Sequence, residues 1–332
     1  MSISRRTKRK SKKKKKILYI LLVLSMVLLS GVVVFATNLS LEAKRAASKM
    51  YVPLEGDKEE STNTDSITDV DSPFTMLLAG IERKEEEKYG RSDMLLIATI
   101  NPKTQKISMV SIPRDTIVDI EEIGMKDKIN HAYSHGGMKY TINTLEKLLE
   151  IPIDYYVSTD FQGFENIVDT VGGVNVDVPF TVDIQLADTL KWKTYTKGPM
   201  LLQGNEALAY VRMRKRDTEG DRGRNTRQKQ VIQDIINKAT SLNNITKIDD
   251  MIKDVGENVQ TNIPSSKYLG FMKMYQKMKA NPIEQLQLVG EDKKVYSEIE
   301  RKDIWYFFPD EDSLKELKDS LKLKLDKNDS EI

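Results

Sequence analysis

The chain has no cysteine and only two histidines in 332 residues. Without cysteine there are no disulfides, thiolate metal centres or cysteine nucleophile. Export without disulfides remains compatible with this. The histidines, His131 and His135, stand at i, i+4, the spacing of a helical zinc site. A zinc-protease motif places Glu directly after the first His, and this chain has Ala132 there. No third soft ligand accompanies them, so polar packing is the better reading. The sequence also lacks a serine nucleophile elbow, a P-loop, a dinucleotide fingerprint and internal repeats. Gly172-Gly173 reads as a turn. Excess positive charge is missing from most of the chain. The net charge is +2, but residues 1–16 hold ten Lys and Arg, leaving 42 basic against 50 acidic residues. A mildly acidic body argues against nucleic acid as a partner.

The basic head is followed by Ile17 to Ala36, an uncharged, mostly apolar run of 20 residues. A helix of that length spans roughly 30 Å, one hydrocarbon core. Gly31 to Thr37 offers no strong cleavage site, so the run reads as an uncleaved anchor rather than a signal peptide. The Lys/Arg excess before it stays cytoplasmic, touching anionic lipid, and the rest lies outside. Residues 37–72 read as an acidic stalk with a short helix from Leu39 to Met50, residues 73–309 as the globular domain, and 310–332 as a charged helix or tail.

From Pro73 onward short apolar runs alternate with helical patterns. Phe74–Ala79, Met94–Ile100 and Lys106–Ile112 read as strands, the last two as an antiparallel hairpin because Asn101–Gln105 is too short for a crossover helix. Tyr140–Leu149 and Phe161–Val171 read as helices, Ile153–Ser158 and Val174–Val178 as strands. Alternation predicts a strand over Ala207–Met213, then a helix with Val231, Ile232, Ile235 and Ile236 on one stripe. Further helices are expected at 246–255 and 266–279, with a strand over Ile283–Val289 and an aromatic cluster at Ile304–Phe308. The fold class is α/β, a mixed β-sheet flanked by helices, preceded by one N-terminal transmembrane helix.

The chemistry concentrates in Tyr210 to Gln228, which holds Arg212, Arg214, Lys215, Arg216, Arg222, Arg224 and Arg227 against Asp217, Glu219 and Asp221. On a strand, Tyr210, Arg212 and Arg214 would share one face, with the two guanidiniums roughly 7 Å apart. On the helix that follows, Arg224, Arg227 and Gln228 would share another. Two elements would then aim planar, bidentate donors at one anion. The competing reading is a solvated loop with surface ion pairs. Gly90-Arg-Ser-Asp93 and Ile112-Pro-Arg-Asp115 each set an Arg and an Asp at a strand end, where α/β sites collect. Such carboxylates suit a hard cation or a general base, or simple Arg–Asp pairing. Lys128 is a further candidate for phosphate contact.

In order, Gly80-Ile-Glu82, Gly90-Arg-Ser-Asp93, Ser111-Ile-Pro-Arg-Asp115, Lys128-Ile-Asn-His-Ala132, Asp169-Thr-Val-Gly-Gly173, Leu202 to Arg214 and Asp221 to Gln228 resemble the motifs of the LytR-CpsA-Psr family. The resemblance implies a membrane-anchored extracellular phosphotransferase. Such an enzyme moves an anionic glycopolymer, such as wall teichoic acid, from a polyprenyl-pyrophosphate carrier to peptidoglycan, with Mg²⁺ (or Mn²⁺). It places Asp93 and Glu82 at the metal and acid/base positions, with Arg114 beside them. Arg91, Arg114, Lys128, Arg212, Arg214, Arg224, Arg227 and Gln228 take the pyrophosphate positions, with Tyr210 and Asp115 as weaker correspondences. One departure stands out. The family usually has Asp where this chain has Glu82, with Arg two residues on, whereas Arg83 here follows directly. The longer side chain extends the carboxylate by roughly 1.3 Å, where sites are held to about half an ångström. A lipid-pyrophosphate hydrolase and a non-catalytic polymer-binding or regulatory protein are the alternatives.

Overall fold

The computed structural model describes residues 45–54, 71–83, 89–186, 189–213, 216–217, 219–241, 256, 258–279 and 281–326. The expected anchor at 17–36 and the expected helix at 246–255 lie outside them. Among the described residues no helix is long and apolar enough to cross a membrane.

The strands are β1 (Phe74–Glu82), β2 (Arg91–Asn101), β3 (Lys106–Ile112), β4 (Ile117–Ile120), β5 (Met125–Lys128), β6 (Tyr155–Thr159), β7 (Val174–Val178), β8 (Val182–Gln185), β9 (Trp192–Tyr195), β10 (Gly198–Leu202), β11 (Val259–Thr261), β12 (Glu284–Leu286), β13 (Gly290–Ser297) and β14 (Lys302–Pro309). The main helices are α1 (Ile129–Leu149), α2 (Phe161–Thr170), α3 (Gly204–Arg212), α4 (Asp221–Ser241), α5 (Tyr268–Met278) and α6 (Glu311–Lys324). Six strands form the central sheet in the order β11-β6-β1-β2-β3-β12. It is mixed: β2 is antiparallel to β1 and β3, while β6 is parallel to β1.

Alternation along these strands separates two cores. Leu77, Ala79, Ile81, Leu95 and Ile97 face one way, against Ile142, Leu145 and Leu149 of α1 and Leu317 and Leu321 of α6. Phe74, Leu96, Ala98 and Ile100 face the other way, against Tyr275 and Met278 of α5 and Ile232 and Ile236 of α4. A third cluster joins α3, β7 and β10 to Val231 of α4.

Three expectations change. The segment 207–213 is not a strand: Gly204–Arg212 is helix α3. Ala207 to Val211 are buried without interruption, so the apparent alternation reported no single exposed face. The start signal lay upstream, where Glu206 at the third helical position accepts from the Gln203 N–H at 3.2 Å. Of the two readings of the charged C-terminal segment, helix holds over Glu311–Lys324, and it is no loose tail: it closes the main core through Leu317 and Leu321, 4% and 0% exposed. Part of the segment read as stalk also packs on the domain. Ala47 and Met50 are buried, and the Val52 N–H donates to the Thr261 carbonyl at 2.8 Å.

Candidate active site

A cleft of about 230 Å³ opens at one end of the central sheet, outside the C-terminal ends of β1, β3 and β6. Its polar lining is Glu82, Asp93, Arg114, Thr159, Asp160, Arg212, Arg224 and Gln228, with Asp160 held by the Gly163 N–H; its apolar lining includes Met94, Phe161, Phe164, Leu208 and Val211. Gly80 and Met94 lie on the sheet face that carries the Phe74–Leu96 core, so the cleft is continuous with that apolar face.

Asp93 enters the cleft because the ladder slips. Gly80 pairs with Met94 and Ile81 with Ser92, leaving Asp93 as the extra residue of a bulge. Such bulges re-aim side chains beside functional sites. Arg114, in the turn after β3, places Nη1 3.0 Å from Asp93 Oδ1. Asn130, at the start of α1, helps to hold the Asp93 pKa down, and its backbone N–H donates to the Arg114 carbonyl at 3.2 Å. On the opposite wall Arg212, in the last turn of α3, lies 3.5 Å from Glu82 Oε1. Its guanidinium stacks 4.1 Å over the Phe161 ring. Arg224 and Gln228 come from α4 at i, i+4.

The two carboxyls are unequal. A hydrogen bond with Asp93 raises the pKa of Glu82, aided by burial and by the Asp93 charge. For Asp93, burial works upward, but the hydrogen bond from Glu82 and the Arg114 charge outweigh it, and its pKa is lowered. Of the two, Asp93 is the carboxyl that ionises first.

Among the described residues no three His, Cys, Asp or Glu side chains converge as a metal cluster. Two carboxylates alone still fit Mg²⁺, which takes one or two of them with waters and substrate phosphates.

Other candidates lie elsewhere. Arg227 is 1% exposed and turns into the protein. Its Nε donates to the Tyr210 carbonyl at 3.0 Å, Nη1 binds Asp217 and Nη2 binds the Met213 carbonyl. It is placed as an internal strut, away from the cleft. Gly223 makes room for this, because a Cβ there would sit 1.9 Å from Asp217 Oδ2. Tyr210 is buried and stacked on Tyr195 at 5.8 Å. Lys128 pairs with Asp115 at 2.7 Å, behind Arg114, outside the cleft lining. Arg91 is exposed and also outside the lining. His131 hydrogen-bonds buried Asp127 at 2.7 Å, which is polar packing. Arg214 lies outside the described residues, and with α3 a helix the shared strand face expected for Arg212 and Arg214 does not exist. Sequence reasoning missed Phe161 and Asn130. Phe161 opens α2 and Asn130 is second in α1, each just after a strand end, and that position was the available signal.

Fold and cleft together define a class: an α/β domain whose sheet end combines a carboxylate pair with arginines, the group set of phosphoryl chemistry. The LytR_cpsA_psr family model matches residues 37–323, and the chain belongs to that family. Over 285 residues it is 40% identical to the polyisoprenyl-teichoic acid–peptidoglycan teichoic acid transferase TagV of Bacillus subtilis (strain 168), covering 85% of this chain and 72% of TagV. The crystal structure of B. subtilis TagV superposes with a TM-score of 0.67 at 41% identity, covering 77% of this chain and 98% of that one. A structure of TagT bound to LI-WTA gives 0.66 at 32% identity, covering 83% and 99%.

Proposed function

We propose that this chain is a phosphotransferase that attaches an anionic glycopolymer of the wall teichoic acid type, carried on polyprenyl pyrophosphate, to peptidoglycan. One observation carries the reading: an ionised carboxylate and arginines from two facing walls meet at the mouth of an apolar cleft, in a chain whose relatives are named for this transfer.

Arg212, Arg224 and Gln228 on one wall and Arg114 on the other hold the pyrophosphate. Asp93 takes the proton from the acceptor sugar hydroxyl. The hydroxyl oxygen bonds to the polymer-linked phosphorus as the bridging P–O bond breaks, and polyprenyl phosphate leaves with the electron pair. The arginines neutralise the charge that develops on the transferring and leaving phosphates. Asp93 and Glu82 would hold Mg²⁺ or Mn²⁺, which supplies further neutralisation of the pyrophosphate. Phe161, Phe164, Leu208 and Val211 give the lipid an apolar seat. In this reading residues 17–36 anchor the chain in the membrane, with the basic head inside and the domain outside near its lipid-linked donor. The apolar run and the Lys/Arg excess before it support that placement.

The test incubates the purified protein with lipid-linked polymer, peptidoglycan and Mg²⁺. A covalent polymer–peptidoglycan product is expected, with Asp93→Ala slower by about 10²- to 10⁴-fold. No product, with Arg212→Ala indistinguishable from wild type, refutes the assignment. Free phosphorylated polymer formed without acceptor identifies a hydrolase instead.

A further inference from the structure

Trp192 is 59% exposed, unusual for a ring that is highly buried on average. It stands on the outer face of the β8–β9 hairpin, opposite Gln185, with Thr194 opposite Asp183 on the same face. The inner face buries Ile184 and Tyr195, so the packing of the hairpin does not need the indole. Above it lies Arg216, its guanidinium 4.6 Å from the ring centroid. Nη1 of Arg216 donates to the Asp183 carbonyl at 2.7 Å. The Asp183 carboxylate is engaged by the Thr194 hydroxyl at 2.6 Å, and no ion pair to Arg216 occurs among the described residues. An exposed guanidinium is thus fixed in orientation by a ring and a carbonyl, and among the described residues its other N–H groups have no hydrogen-bond partner. A planar fork held this way suits a phosphate, and the indole beside it offers apolar surface to an adjoining sugar or polyol.

Its place relative to the cleft matters. Arg216 follows Arg212 by four residues, and four extended residues reach at most about 14 Å. A donor whose pyrophosphate sits at Arg212 therefore has this neighbourhood within reach of its polymer. We propose that Arg216 stacked on Trp192 is a second anion subsite, outside the cleft, which binds a phosphate of the glycopolymer with its sugar or polyol against the indole. The inference rests on the proposed function, because it assumes that the donor carries phosphodiester repeats. A bilayer contact is the weaker use of this hairpin. Inserting an indole clamped under Arg216 would drag that charge toward the hydrocarbon.

Two measurements test it. In a Trp305→Phe background Trp192 is the sole indole, and its fluorescence is followed during titration with soluble glycerol-phosphate oligomers. A saturable change is expected, weakened about tenfold by Arg216→Gln, as for loss of one charge-assisted hydrogen bond. No change, or equal affinity in Arg216→Gln, overturns the proposal. So does a response to phosphatidylglycerol vesicles but not to the oligomers, which would mark a membrane contact. The second measurement compares two donors, one with phosphate repeats and one with a single neutral disaccharide on the carrier. Arg216→Gln and Trp192→Ala should raise KM for the first alone; equal effects on both overturn the proposal. If wild type transfers neither donor, the functional reading fails, and the titration still decides the subsite.

Discussion

Arg227 and Arg212 stand fifteen residues apart in one basic segment, yet their replacement should have opposite consequences. The side chains of Arg227 and Asp217 are each 2% exposed. Arg227 also closes two carbonyls, those of Tyr210 and Met213, so it ties the end of α3 to the body of α4. Arg227→Ala leaves the Asp217 carboxylate buried without its counter-ion and both carbonyls short of a donor. Breaking one side of a buried pair costs about 3–5 kcal/mol. For a domain of this size that lowers Tm by roughly 6–20 °C, at about 2–4 °C per kcal/mol. The Arg212 side chain is 43% exposed and its partner Glu82 45% exposed. Pairs this open contribute about 0–1 kcal/mol, so Arg212→Ala should unfold near the wild-type midpoint while losing turnover. Differential scanning calorimetry of both variants, beside pyrophosphate titrations, separates them. An Arg227→Ala protein with wild-type Tm and weakened pyrophosphate binding would refute the strut and return Arg227 to the ligand.

The other predictions follow from the same geometry. The folded-state pKa of Glu82 is raised, so its contribution to stability is full below its unfolded value, near 4.5, and is lost as pH rises through the folded value. Asp93, with its lowered pKa, contributes above its unfolded value, near 3.8, and loses this as pH falls through the folded value. Glu82→Gln should therefore flatten the decline of Tm on the alkaline side of 4.5; an unchanged slope there argues against the raised pKa of Glu82. Leu321→Ala, at a fully buried position of α6, should cost about 2–5 kcal/mol in urea unfolding, whereas a free tail would lose nothing. Lys128→Met releases Asp115 from its pair and loosens Arg114. It should lower kcat along with any rise in donor KM, and a rise in KM with kcat unchanged would restore Lys128 as a phosphate contact.

The sequence revealed the fold best where one face of an element was buried and the other was not. The β2–β3 hairpin followed from a link too short for a helix, and its register confirms the antiparallel pairing. The end of α2 followed from Gly172-Gly173, both at φ 81°, a conformation that favours glycine. Segment 207–213 failed because five consecutive buried residues, Ala207 to Val211, leave no period to read. The charge of α6 hid Leu314, Leu317 and Leu321, whose spacing is helical and whose stripe closes the core. Asp93 was legible as a strand-end carboxylate, but not the bulge that turns it into the cleft, since a one-residue slip leaves no mark in composition.

The arginine segment shows why bunching in sequence need not become bunching in space. Like charges held together in a partly buried site repel strongly, and the fold disperses them. Arg227 is neutralised inside by Asp217, Arg216 is carried out to Trp192, and Arg212 and Arg224 remain at the cleft. Those two are not equivalent. Arg212 ends α3, where the helix dipole favours a cation, while Arg224 lies in the first turn of α4, where a cation costs about 0.3–1 kcal/mol. A phosphate seated between them offsets that cost and gains the dipole of α4 as well. The helix that replaces the expected strand therefore strengthens the case for an anion: it sets one arginine at a favourable helix end and the other in a first turn whose dipole itself attracts an anion.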